Sequence, residues 1–204
     1  MFRASRFVQA HSGCASLYLT TPAAARSIEI ADQRRFAAMY ARKVWKHLPM
    51  PKEVLIVSSV VIRRSPQDVF DFGASPQSWP TWHPTALSVS GIVDRPVRAG
   101  EEVFEQDRFA FLKGSIHWKV RHATAPTGWS YDGIVSGVPL AAGTRTSVTY
   151  VLSPVEGGTR LERTMTYSIP GAMGRFLDWL YFKGHNARQS QRAVETLKRL
   201  LEKR

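Results

Sequence analysis

The sequence contains one cysteine, Cys14, among its 204 residues. A single thiol cannot close an intramolecular bridge, so a disulfide-stapled secreted scaffold is excluded. No stretch reaches the run of about 18 apolar residues that a membrane-spanning helix requires. The six histidines, His11, His47, His83, His117, His122 and His185, show no zinc-ligand spacing, and there is no HExxH segment, so neither a metal site nor a metal cofactor is expected. Gly171-Ala172-Met173-Gly174 has neither the spacing nor the strand context of a phosphate-cradling loop, and a Rossmann cofactor site is absent. What remains is a chain long enough to bury its own core, and the expectation is a soluble globular protein without cofactors.

Acidic residues are scarce, and the resulting formal charge of +12 is unevenly placed. Residues 1–53 carry nine Lys/Arg against three Asp/Glu, and residues 175–204 carry eight against three, a net +6 and +5. The stretch between them is nearly balanced at +1. A nucleic-acid reader would show a basic face interleaved with aromatics across the body of the domain, so sequence-specific nucleic-acid binding is not expected. The first 28 residues lack Asp and Glu entirely and are rich in Arg, Ser and Ala, as in an organelle transit peptide. Phe36, Tyr40, Val44 and Leu48 then recur at fourfold spacing among Arg34, Arg35, Arg42, Lys43 and Lys46. That is a basic amphipathic helix able to touch an anionic membrane surface or to dock on protein. Met50 is also a credible internal start. Cytoplasmic localisation is expected, with organellar targeting open. Pro49-Met50-Pro51 cannot continue a helix and sets a boundary between an extension, residues 1–53, and a domain, residues 54–204.

Within the domain, Val54–Ile62 is β-branched and reads as a strand. Ser65 and Pro66 open a short helix as N-cap and first-turn proline, and a second short turn follows at Ser75–Trp79, broken by Pro80. Six further strand signals cover residues 86–93, 102–109, 115–123, 128–135, 144–152 and 160–169. The turns between them are marked by Arg98-Ala99-Gly100, Lys113-Gly114, Ala125 to Gly128 and Glu156-Gly157-Gly158. Connections this short make antiparallel hairpins. After Pro170-Gly171, Met173, Phe176, Leu177, Leu180, Gly184, Ala187, Gln191, Val194, Leu197 and Leu201 trace one face of a long helix. The fold expected is therefore α+β, a seven-stranded curved antiparallel sheet around a long C-terminal helix with two short helices after the first strand. A curved sheet closing on one helix leaves a cavity.

Ile62-Arg63-Arg64-Ser65-Pro66, Val69-Phe70-Asp71-Phe72, Trp79-Pro80-Thr81-Trp82-His83-Pro84 and the terminal Leu197-Lys198-Arg199-Leu200-Leu201-Glu202 carry a resemblance. From about residue 54 to 202 the chain resembles the SRPBCC superfamily, also called START-like or Bet-v-like, and within it the polyketide cyclase/dehydrase group of bacterial proteins. The resemblance implies the helix-grip fold and a cavity for an apolar or amphipathic molecule. It does not fix the chemistry.

Strand alternation nominates the residues that face such a cavity. Arg163 shares its face with Leu161, Met165, Tyr167 and Ile169, either as an anchor for a ligand oxygen or as a rim arginine whose head reaches water. Trp118, Trp129, Tyr131 and Tyr150 supply aromatic wall, whereas His117 faces solvent and His122 falls on the Trp118 side. His83, beside Trp82 in a proline-bounded loop, is the titratable candidate, with no evident carboxylate to orient it and the backbone as its alternative partner. Gly184 makes room on the cavity-facing stripe of the helix, and the apolar cluster Phe176 to Phe182, including Leu180, marks a pocket entrance, a dimer contact or a membrane-touching lip. Three functions follow. The first is a carrier of a hydrophobic or amphipathic small molecule (a lipid, polyketide, isoprenoid or aromatic metabolite) held by Trp82, Trp118, Trp129, Tyr150, Met165, Tyr167, Leu180 and Gly184. The second is a cyclase or dehydratase with His83, Tyr131 and Arg163 as proton-transfer or oxyanion partners. The third is a quinone-binding, ribosome-docking or membrane-docking protein. Oligomeric state is open.

Overall fold

The computed structural model of the protein describes residues 53–203. The expectations for the N-terminal extension and its boundary lie outside them. The domain consists of β1 (Val54–Ile62), α1 (Pro66–Gly73), a single 3-10 turn, Pro76–Ser78, α2 (Trp79–Trp82), and then β2 (Ala86–Gly91), β3 (Glu102–Phe109), β4 (Leu112–Thr124), β5 (Gly128–Ser136), β6 (Arg145–Val155) and β7 (Gly158–Ser168). The C-terminal helix runs through α3 (Ala172–Leu177), a π-helical turn (Asp178–Phe182) and α4 (Lys183–Lys203). The seven strands form one antiparallel sheet in the order β1-β7-β6-β5-β4-β3-β2. This is the helix-grip arrangement that the hairpin signals and the long apolar stripe imply.

Local chemistry sets the entry to the fold. The Ser65 hydroxyl accepts the Asp68 N–H at 3.1 Å, and Pro66 occupies the first turn of α1, where its missing donor costs nothing. Pro80 likewise sits in the first turn of α2 and starts that turn rather than breaking it. The two indoles of α2 are pinned: Trp79 Nε1 donates to the Gly73 carbonyl at 3.2 Å and Trp82 Nε1 to Ser78 Oγ at 3.0 Å. Ser78 in turn donates to the Phe72 carbonyl at 2.6 Å, which ties α1 to α2.

One end of the grip is packed solid. Ile62, Val69, Leu161, Val194, Leu197 and Leu201 are buried where α1 and the second half of α4 cover the sheet, each contributing about 1.5–3 kcal/mol. Trp129 belongs to this core, stacked on Tyr150 with ring centroids 4.6 Å apart and edge-on to Phe70 at 5.6 Å.

Two sheet details depart from the sequence reading. The β3–β4 hairpin turns at Ala110-Phe111, not at Lys113-Gly114, which lies inside β4. Ala110 adopts φ 56°, and Gly114 is needed instead because a side chain there would run into Val138 and the Ser136 carbonyl. A register shift between Val120 and His122 rotates the end of β4, so His122 is exposed instead of facing Trp118's side.

Gly133 lies directly across from Trp118, and a Cβ there would sit 2.5 Å from the indole ring. Gly133→Ala should therefore cost about 1–3 kcal/mol by overpacking. Thermal denaturation checks this, and an unchanged melting temperature would show that the indole can move aside.

Candidate functional site

The other end of the grip is hollow. A cavity of about 310 Å³ lies between the sheet, the β3–β4 turn, the loop 137–144 and the C-terminal helix from Gly174 to Ser190. Its walls are mostly apolar and aromatic, as in a small-molecule site.

The centre of its polar chemistry is Arg163. In the sheet, β7 lies between β1 and β6, so Ser58 and Tyr150 stand directly opposite Arg163 on either side. Only 4% of the residue is exposed, which discards the alternative of a rim arginine with its head in water. Its Nε donates to Tyr150 Oη at 3.0 Å and its Nη1 to Ser190 Oγ at 2.7 Å, and Ser190 is hydrogen-bonded to Ser58 at 2.7 Å. Beyond these, the Nη atoms meet the Met165 sulfur at 3.7 and 3.8 Å, a weak acceptor. Among the described residues no carboxylate lies within ion-pairing distance of this guanidinium. A buried cation in that state carries a desolvation cost that neutral hydroxyls offset only in part.

Two carboxylic acids face the same cavity. The inward face of β3 reads Val103, Glu105, Asp107, Phe109, and Glu105 and Asp107 are both buried. Trp118 Nε1 donates to Glu105 at 2.6 Å. Burial, reinforced for Glu105 by the neighbouring Asp107 charge, holds both carboxyls above the usual carboxylate range. Arg163 pulls in the opposite direction from a distance.

His83 ends α2 and lines the cavity. The surroundings of its ring, and secondarily the Arg163 charge, bring its pKa down to about 3, so the imidazole is neutral. It has a side-chain partner rather than a backbone one: Nδ1 lies 3.0 Å from Thr85 Oγ1, and Thr85 also hydrogen-bonds Asp107. When Asp107 is ionised, the single Thr85 proton goes to the carboxylate and Thr85 accepts from Nδ1–H. The Nε2 lone pair is then left for the cavity.

Two further unpaired atoms complete the wall. Tyr131 Oη and Gln189 Oε1 line the cavity, are buried and have no hydrogen-bond partner. Trp118, Trp82, Tyr150, Met165 and Tyr167 also line it. Tyr167 Oη donates to Asp178 at 2.6 Å, anchoring the π-helical turn to the sheet.

Three expected residues fall elsewhere. Trp129 is inside the solid core. Leu180, 64% exposed, and Gly184 point outward. The cause is the π-helical turn, which inserts one extra residue and rotates the helix face after Asp178. The face therefore runs Gly174, Leu177, Phe182, His185, Gln189, Ser190, and Met173 is exposed too. A continuous fourfold spacing cannot anticipate this. Glu105, Asp107, Thr85 and Ser190 were missed by the sequence reading, although the shared parity of Val103, Glu105, Asp107 and Phe109 was the available signal for the two acids.

Residues 53–202 match the family model described as polyketide cyclase/dehydrase and lipid transport. The chain belongs to this family, within the SRPBCC superfamily. Solved structures of similar fold include protein CV1439 from Chromobacterium violaceum (16% identity, TM-score 0.55, covering 75% of this chain and 99% of that one). Ara h 8.0201 follows the same fold at 11% identity and TM-score 0.51, over 74% of this chain and 99% of that one. DynU16, from the dynemicin biosynthetic locus, does so at 18% identity and TM-score 0.51, over 72% of this chain and 47% of that one. Among curated proteins there is no match. Identities this low show the shared fold. Among the described residues of this family member, no helix is long and apolar enough to cross a membrane.

The raised carboxyl pKa of Glu105 has a defined consequence for stability. The folded state holds its proton more tightly than the unfolded chain, so stability falls as pH rises above the ordinary carboxylate range. Neutral His83 acts oppositely, with stability lost as pH falls from about 6.5 toward 3. Glu105→Gln should flatten the alkaline fall and leave the acid limb in place. Melting temperatures of both proteins from pH 5 to 9 check this; parallel curves would show that Glu105 ionises freely.

Proposed function

We propose that this family member binds an amphipathic small molecule whose apolar body fills the cavity and whose oxygen-bearing end meets Arg163. One observation carries this reading: a buried guanidinium, unpaired by any carboxylate, at the wall of an apolar cavity. A carboxylate, enolate or phenolate oxygen there would gain charge-assisted hydrogen bonds that no protein group supplies. The unpartnered Tyr131 hydroxyl beside the same space supports the oxygen-bearing class over a pure hydrocarbon. The family description, which names lipid transport beside polyketide cyclase/dehydrase, supports the carrier role at the level of ligand class.

The test uses quenching of tryptophan fluorescence by a matched pair, 2-naphthoate and 2-methylnaphthalene. The wild type should bind naphthoate about tenfold or more tightly than the methyl analogue, in line with a charge-assisted pair of about 1.5–3 kcal/mol. Arg163→Met should erase that preference, and His117→Ala, on the outer face, should keep it. Equal affinities in the wild type would refute the reading.

A second reading rests on the His83–Thr85–Asp107 chain. An imidazole whose Nε2 is held as an acceptor can take a proton from a bound carbon acid, with the electron pair passing to an enolate oxygen held by Arg163, which is the first step of a condensation-type cyclisation. Confinement would supply the remaining rate by orientation. In that case His83→Ala retains the bound molecule but stops its chemical conversion, read by mass spectrometry of the extracted molecule. Conversion at the wild-type rate would remove His83 from the chemistry.

A further inference from the structure

Large apolar side chains stand out of the protein around the cavity mouth. Phe111, at the apex of the β3–β4 turn, is 86% exposed. Leu140 in the loop 137–144 is more than half exposed and held there by a positive φ of 65°. Trp179, Leu180 and Tyr181, on the π-helical turn, are also about half exposed or more. These elements are contiguous. Gly114 of β4 lies against Val138 of the loop, and Gly174 of α3 lies against the Leu140 carbonyl, in each case too close for a Cβ. The loop therefore bridges the hairpin to the helix, and all three elements line the cavity.

The charge around this lip has one sign. The segments 108–113, 136–145 and 169–194 contain Asp178 as their one acidic residue, and Asp178 is buried under Tyr167. The same segments carry Arg108, Lys113, Arg145, Arg175 and Lys183, none of them in an ion pair. Away from the lip some cations are paired, as in Arg63 and Lys198 with Glu202, Arg95 with Glu101 and Arg121 with Asp132.

From this arrangement we infer that the cavity mouth docks on an anionic lipid bilayer, with Phe111, Leu140 and Leu180 entering the acyl boundary and the basic residues facing lipid phosphates. Trp179 and Tyr181 have the amphipathic rings that settle at a headgroup interface. Separate protruding side chains on two turns and a helix suit a deformable surface, and acid-free surroundings suit a negative one. Docked in this way, the mouth faces the bilayer, and an amphipathic molecule passes between cavity and membrane without crossing water. The docking itself holds whichever molecule the cavity takes.

The test is co-sedimentation of the full chain with vesicles of phosphatidylcholine alone or mixed with phosphatidylglycerol. It compares the wild type with the triple variant Phe111→Ser, Leu140→Ser, Leu180→Ser. All three side chains are exposed, so the variant should melt with the wild type. The wild type should bind the mixed vesicles and not the neutral ones, and the triple variant should bind them about tenfold less. Hydrogen exchange on the vesicles should slow at 109–112, 138–141 and 172–182. Equal binding by the triple variant would assign vesicle contact to the N-terminal segment and overturn the inference. Absence of binding by the wild type would also overturn it. So would a wild-type dimer that the variant dissociates, because the lip would then be a subunit interface.

Discussion

The arrangement of this domain depends on where a single charge was placed. Arg163 stands in the middle of the apolar face of β7, in the strand that receives hydrogen bonds from both β1 and β6. A guanidinium there cannot reach water, and it holds its geometry by drawing hydroxyls toward itself from three directions: Ser58 through Ser190, Ser190 from the helix, and Tyr150 from the next strand. Those neutral partners fix its orientation but do not neutralise it. Its effect reaches across the cavity. It disfavours protonation of His83 and partly restrains the two β3 carboxyls, so the imidazole and both acids on the cavity wall are tuned by it.

The hollow and the solid ends of the grip have a common origin. At one end α1 and the second half of α4 bring bulky apolar residues onto the sheet, and the Trp129–Tyr150–Phe70 stack leaves no space. At the other end the helix presents Gly174, Ser190, Asn186 and Gln189, which are too small or too polar to fill the curve of the sheet. Gly133 extends the space by admitting the Trp118 indole, which then reaches Glu105. Small residues and hydrogen-bonded aromatics thus keep the space open, since an apolar wall alone would tend to collapse.

Strand order, hairpin connections and the helix N-cap at Ser65 were legible because they follow from short-range chemistry: β-branched runs, turn residues and a proline in a first turn. The inward parity of β7 was legible too, and placed Arg163 with Met165 and Tyr167. What the sequence concealed were irregularities of register. A π-helical turn costs nothing visible in composition, yet it moved Leu180 and Gly184 off the cavity and put Phe182, His185 and Ser190 on it. A bulge did the same to His122 on β4. The partnership of His83 with Asp107 through Thr85 joins β3 to the segment after α2, and no local pattern announces a contact between side chains more than 20 residues apart in the chain. Trp129 fits the alternation of β5 equally well as core or as cavity wall, and only packing against α1 decides between them.

The central claim is that the buried charge of Arg163 selects an oxygen-bearing amphiphile. It is tested most directly by native mass spectrometry of the protein purified from a heterologous host, compared with its denatured mass. The expected result is a reproducible extra mass, released on denaturation, from an organic molecule that carries an acidic or enolic oxygen, absent from the Arg163→Met protein. A clean apo mass for the wild type, or an equally retained hydrocarbon in both proteins, would contradict it.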